Sequence, residues 1–257
     1  MDDLADDDEP VREWKLRAIA PPVAVALAIA FHAWPTGHWL QRTFLSMIVH
    51  ELGHAVTAWW CGFGALPGLW KTLIPETRGL VVPVLVAALE GGAIYLGWRF
   101  ERRWLIAVGV GLAVLQLIGT LGLSVDHARA AIIFGGDGGA MVLGTLLMCT
   151  FFAPRDSRLV RNGLRWGFLV IGAAAYVDSF GTWWAARSNP DVIPYGESEG
   201  VGPSDPSLLT DAFGWSEGHL IHRYVGLGVA CGLALAAAYA YAVWSARRGA
   251  TTLTPRT

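Results

Sequence analysis

The chain has 257 residues, 54% of them hydrophobic and only 16% charged, against roughly 25% charged in an ordinary soluble domain. Its 19 basic and 21 acidic residues nearly cancel, which leaves no basic surplus for nucleic acid, and its apolar content excludes a disordered chain. The charges fall in short runs between long stretches that carry almost none, the pattern of a polytopic membrane protein.

Taken in chain order, residues 1–17 read as an acidic tail without a cleavable signal. Seven stretches are then long and apolar enough to cross a hydrocarbon core of roughly 30 Å. The first, 18–40, holds His32 and His38 but no charge; the second, 43–64, holds one acid, Glu51. The third, 79–98, holds only Glu90, and the fourth, 104–124, holds none. The fifth, 131–153, holds Asp137; the sixth, 165–184, holds Asp178 inside it; the seventh, 224–244, is uncharged. Trp34, Trp39, Trp98, Trp104 and Trp244 sit near span ends, as interfacial anchors do.

The expected fold is therefore all-α: a polytopic transmembrane bundle of about seven helices over 18–246, with a short C-terminal tail at 247–257. The expected setting is a bacterial cytoplasmic membrane. The long connection, 185–221, carries four prolines and six acids against a single Arg187. Within it, Asp205-Pro206-Ser207 ahead of Leu208, Leu209, Ala212, Phe213 and Trp215 predicts a short capped amphipathic helix at the membrane interface. Such a helix would gate lateral entry to a membrane-buried site; the other reading is a simple connection with a surface-lying turn. Cys61, Cys149 and Cys231 are an odd number and read as core filler rather than a disulfide framework.

The chemistry centres on His50-Glu51-Leu52-Gly53-His54. Residues four apart share a helix face, so both imidazoles can reach one metal ion while Glu51 takes a proton from water. Zinc suits two imidazoles with an open position for water. Two histidines and an acid at the centre of a span are costly unless they serve a purpose. The alternative is a hydrogen-bonded polar cluster tying helices together.

A catalytic zinc site usually has three protein ligands, and the candidate for the third is Asp137 in Phe134-Gly135-Gly136-Asp137-Gly138-Gly139. The glycines would allow close backbone approach and weaken the helix; the other reading is a glycine-rich kink with a helix-pairing acid. Glu90 and Asp178 would either orient the histidines from behind or form interhelical hydrogen bonds. Two spans separate the motifs, which makes their helices antiparallel.

With these residues in hand, the chain resembles the site-2 protease family of intramembrane zinc metallopeptidases, on Ile48-Val49-His50-Glu51-Leu52-Gly53-His54-Ala55 and the later Asp137-Gly138. The resemblance implies His50, His54 and Asp137 as ligands of one zinc ion per chain and Glu51 as the catalytic base. It also implies membrane-anchored proteins as substrates, and parallel motif helices. The competing reading from composition and motif is a non-catalytic metal-binding membrane protein, a transporter or a pseudo-protease scaffold. Neither reading involves nucleic acid.

Overall fold

The structure, a computed structural model, describes residues 9–198 and 202–253 and is almost wholly helical. The helices are α1 (Glu9–Ala33), α2 (Pro35–Gln41), α3 (Met47–Trp60), α4 (Val81–Arg99), α5 (Arg103–Leu117), α6 (Val125–Cys149), α7 (Arg158–Arg161), α8 (Leu164–Ala186), α9 (Asp205–Asp211) and α10 (Glu217–Leu253). A π turn, Arg42–Ser46, joins α2 to α3. A two-residue strand pair, β1 (Glu197–Ser198) and β2 (Gly202–Pro203), precedes α9. The chain divides into two compact units, one of Met1–Ser46, Met141–Pro190 and Ile221–Thr257, the other of Met47–Ala140 and Asp191–Leu220.

In the first unit, α8 is the central element. Eight successive residues, from Gly172 to Ser179, are buried, because small side chains let neighbouring helices close in. A Cβ on Gly172 would lie 2.9 Å from the Met148 backbone nitrogen, and one on Gly144 would lie 2.8 Å from the Gly172 carbonyl. Trp183 stacks on Tyr224 with centroids 4.1 Å apart. Glu13 of α1 is buried and accepts from Arg165 of α8 at 2.8 Å and Arg17 at 2.9 Å; of the expected 1–17 tail, residues 9–17 are helical and residues 1–8 lie outside the described residues.

In the second unit, α4 and α5 form an antiparallel pair. Gly97 faces Ile106, and Gly109 faces Ile94 and the Glu90 carbonyl. The segment between α3 and α4 folds back through a short hairpin in which Leu66 and Leu73 exchange backbone hydrogen bonds of 3.0 Å. Arg78 fastens its end by donating to the carbonyls of Cys61, Gly119 and Leu123. Ala55, Ala58, Phe63, Ala128 and Ile132 make the apolar core between α3 and α6.

Seven spans are expected from the sequence; among the described residues five helices are long and apolar enough to cross a membrane, Glu13–Ala33, Val81–Arg99, Arg103–Gly122, Val125–Phe152 and Glu217–Arg248. Only 11% of the most apolar window is buried in each of the first two, and large apolar side chains such as Leu85, Leu89 and Leu121 face outward. Exposed apolar surface on this scale fits an integral membrane protein. The stretch expected as the second span, helical without a break from the π turn Arg42–Ser46 through α3 to Trp60, is not among the five, because His50, Glu51 and His54 lower its apolarity. The stretch expected as the sixth, α8, is 23 residues long, but Asp178, Ser179, Thr182 and its aromatic residues lower its apolarity.

Candidate metal centre

The site lies in the second unit and begins with glycine. Gly53 of α3 meets the glycine run of α6 so closely that a Cβ on it would touch the Gly135 carbonyl and lie 2.9 Å from the Gly139 Cα and 3.0 Å from the Gly136 carbonyl. These are backbone contacts and cannot give. Helix α6 passes through Gly135, Gly136, Gly138 and Gly139 unbroken, so the glycines serve close helix approach and do not interrupt the helix. The pairs His50 with Asp137 and His54 with Ile132 run in opposite senses along the two helices. The motif helices are thus antiparallel, as the span count implies and unlike the parallel arrangement implied by the resemblance.

Close approach engages one nitrogen of each imidazole. His54 Nδ1 donates to the Ile132 carbonyl at 2.7 Å; a carbonyl only accepts, so a proton sits on Nδ1, and in the neutral ring the Nε2 lone pair is then bare. His50 Nδ1 faces Asp137 Oδ1 at 3.0 Å, which fixes the same tautomer. The two Nε2 atoms then confront each other at 3.2 Å.

Between them comes Asp205, from the first turn of α9. Its Oδ2 lies 3.2 Å from His50 Nε2 and 3.1 Å from His54 Nε2. The side chain as a whole is 18% exposed, but Oδ2 itself is buried, and no described residue donates a hydrogen bond to it. Burial pushes the Asp205 carboxyl up, while attraction to protonated His54 and His50 holds it well below the usual carboxylate range. In the absence of a metal a proton on either Nε2 can bridge these atoms; with both rings neutral, three lone-pair atoms about 3.2 Å apart repel one another unless a cation sits in their midst. Zinc with ligands at about 2.0–2.2 Å would set tetrahedral ligand–ligand edges of about 3.3–3.6 Å, a little wider than the spacing seen here. His50, His54 and Asp205 therefore form a group able to hold a metal ion, and they fit zinc in both chemistry and spacing. Gly136 keeps the space open: a Cβ there would lie 2.5 Å from Asp205 Oδ2 and 2.6 Å from each histidine Cε1.

Glu51 is buried on α3. Thr72 Oγ1 lies 2.7 Å from its Oε2 and 2.8 Å from its backbone carbonyl, so one hydroxyl proton is shared between them and Oε1 has no described partner. The sequence singles out Glu51 but not Thr72, which only the fold of the hairpin brings beside it.

The remaining candidates lie elsewhere. Glu90 accepts from the Trp60 indole at 3.0 Å and bonds to neither histidine of the pair. Asp178, in the first unit, takes His38 Nε2 at 2.7 Å, Arg42 at 3.0 Å and the Ser46 hydroxyl at 2.6 Å, with His32 Nδ1 at 3.7 Å. His32, His38 and Asp178 are a second group with metal-ligand atoms close together. Its 2.7 Å contact is a hydrogen bond, however, and its second carboxylate oxygen already faces a guanidinium.

No protein family, curated protein or solved structure matches this chain.

Proposed function

We propose that the protein is an intramembrane zinc metalloendopeptidase, similar to the site-2 protease family, that hydrolyses peptide bonds of membrane-anchored proteins in a bacterial cytoplasmic membrane. One observation carries the reading. Two histidines one helical turn apart turn bare Nε2 atoms to one point, both Nδ1 atoms being engaged, and the residue between them that follows His50 is a buried carboxylate.

When bound, zinc lowers the pKa of a water molecule toward neutrality and polarises the scissile carbonyl. The chain's own groups do the rest. His50 and His54 hold the ion through Nε2, and the Ile132 carbonyl and Asp137 keep the rings in the required tautomer, a fixed orientation on which metal affinity depends. Glu51, held at Oε2 by Thr72, takes the water proton at Oε1 and returns it to the leaving amine nitrogen.

The test pairs metal content with cleavage. Detergent-purified wild type should carry about one zinc per chain, His54→Ala should lose it, and Glu51→Gln should keep it yet fail to cleave a membrane-tethered reporter. A wild type that folds and binds no metal overturns the reading. The His50–His54–Asp205 group would equally suit the other reading, a non-catalytic metal-binding membrane protein. Under that reading Glu51→Gln leaves function intact and zinc is carried rather than retained.

A further inference from the structure

We infer that Asp205, and not Asp137, is the third protein ligand, so that loading the metal and docking the 191–220 segment are one event. The inference rests on the metalloenzyme reading above and concerns which residue completes that site.

Asp137 is excluded by where it binds. Its Oδ1 meets His50 at Nδ1, and an ion held by Nε2 of the same ring lies on the opposite side of the imidazole. A carboxylate behind a metal-binding histidine is a familiar supporting group: it fixes the tautomer and raises ligand basicity. Asp205 occupies the other position. Its Oδ2 is within 3.2 Å of both Nε2 atoms and is buried without a donor, a state that is expensive for a carboxylate oxygen unless a cation relieves it.

Packing that owes nothing to a metal holds Asp205 there. Ser204 caps α9 by accepting from Ser207 N, and Ser207 Oγ accepts from Gly196 N at 2.9 Å. Leu209 is fully buried, and Trp215 lies against Phe134 of α6 with centroids 5.9 Å apart. One ligand thus comes from an extramembrane segment and two from α3. Because binding to one conformation must stabilise that conformation, the ion holds the segment down and the docked segment holds the ion. Removing 205–217 should therefore cost the zinc, the reverse of what a simple gate implies.

The experiment uses the full chain in detergent. Zinc affinity is measured by competition with a chromogenic chelator for wild type, Asp205→Asn, Asp205→Glu and Asp137→Asn. The visible spectrum of the cobalt-loaded protein is recorded alongside. Asp205→Asn should weaken zinc by about 100-fold or more and change the cobalt ligand-field bands; Asp205→Glu should restore part of the affinity. Asp137→Asn should weaken zinc by about 10- to 100-fold and leave the cobalt bands in place. Amides of 202–215 should exchange at least about tenfold faster in chelator than in zinc.

Wild-type affinity and spectrum in Asp205→Asn, with loss of both in Asp137→Asn, overturns the assignment and leaves the metallopeptidase reading standing. Exchange that is indifferent to zinc overturns the coupling. If both Asp205 variants melt early even in chelator, the residue is structural and the assignment falls. A wild type that binds no zinc removes both this inference and the reading beneath it.

Discussion

Thr72 governs how the Glu51 carboxylate is presented, since its hydroxyl lies 2.7 Å from Oε2. Hydrogen bonds to charged groups contribute about 1.5–3 kcal/mol. Thr72→Val should therefore slow cleavage of a tethered reporter by about tenfold or more without lowering zinc content, and Thr72→Ser should recover most of the rate. Gly136→Ala separates the two roles of that glycine. Alanine favours a helix over glycine by about 1 kcal/mol, yet its Cβ would lie within 2.6 Å of both histidine Cε1 atoms. The expected outcome is a protein with unimpaired helical circular dichroism that no longer retains zinc on dialysis. At this scale the His50–Glu51–His54 group is legible in sequence because one turn of helix is a local period. The meeting of Asp137 with His50 across 87 residues is half legible: an acid among glycines reads as near the metal, but nothing in the pattern says which ring nitrogen it faces. Asp205 is not legible at all. It lies roughly 150 residues beyond His54, in a Ser-Asp-Pro-Ser stretch that reads as the cap of a short helix, and only the tertiary fold brings it beside the two Nε2 atoms.

The elements carry the site through one helix crossing. A Cβ added at Gly53 would lie 2.9 and 3.0 Å from backbone atoms of α6, so Gly53→Val must push α3 off α6 and draw His54 away from the Ile132 carbonyl. Overpacking typically costs about 1–3 kcal/mol. Thermal unfolding in detergent should shift downward, and zinc affinity should fall with it, although residue 53 is no ligand. The glycine run is legible as a place of close approach, and that is how α6 uses it. Reading it also as a weak point fails because a helix packed along its length tolerates glycines that an isolated one would not. The span count is legible only in part, because hydropathy supports five spans among the described residues: His50, Glu51 and His54 in the second stretch and Asp178 and Ser179 in the sixth weigh against apolarity, and the sequence alone does not show that these polar side chains are packed inside.

For the molecule as a whole, the question is what covers the outward apolar faces, and α4 offers a direct answer. Leu89, near its middle, is 75% exposed, and Leu80, at its N-cap, is 83% exposed. If water surrounded this helix, arginine at either position would be harmless, since each side chain already stands clear of the protein. If lipid surrounds it, depth separates them. An arginine at the centre of a membrane helix costs about 2.5–3.5 kcal/mol on insertion scales, whereas one at the end extends its guanidinium into the headgroup layer. Leu89→Arg should therefore lower the membrane-inserted fraction, read as protein resisting alkaline extraction, while Leu80→Arg inserts like wild type. Equal behaviour of the two variants would mean that α4 does not face the hydrocarbon core. The apolar helices would then need a protein partner, and the metal centre would have to work in a setting other than a bilayer.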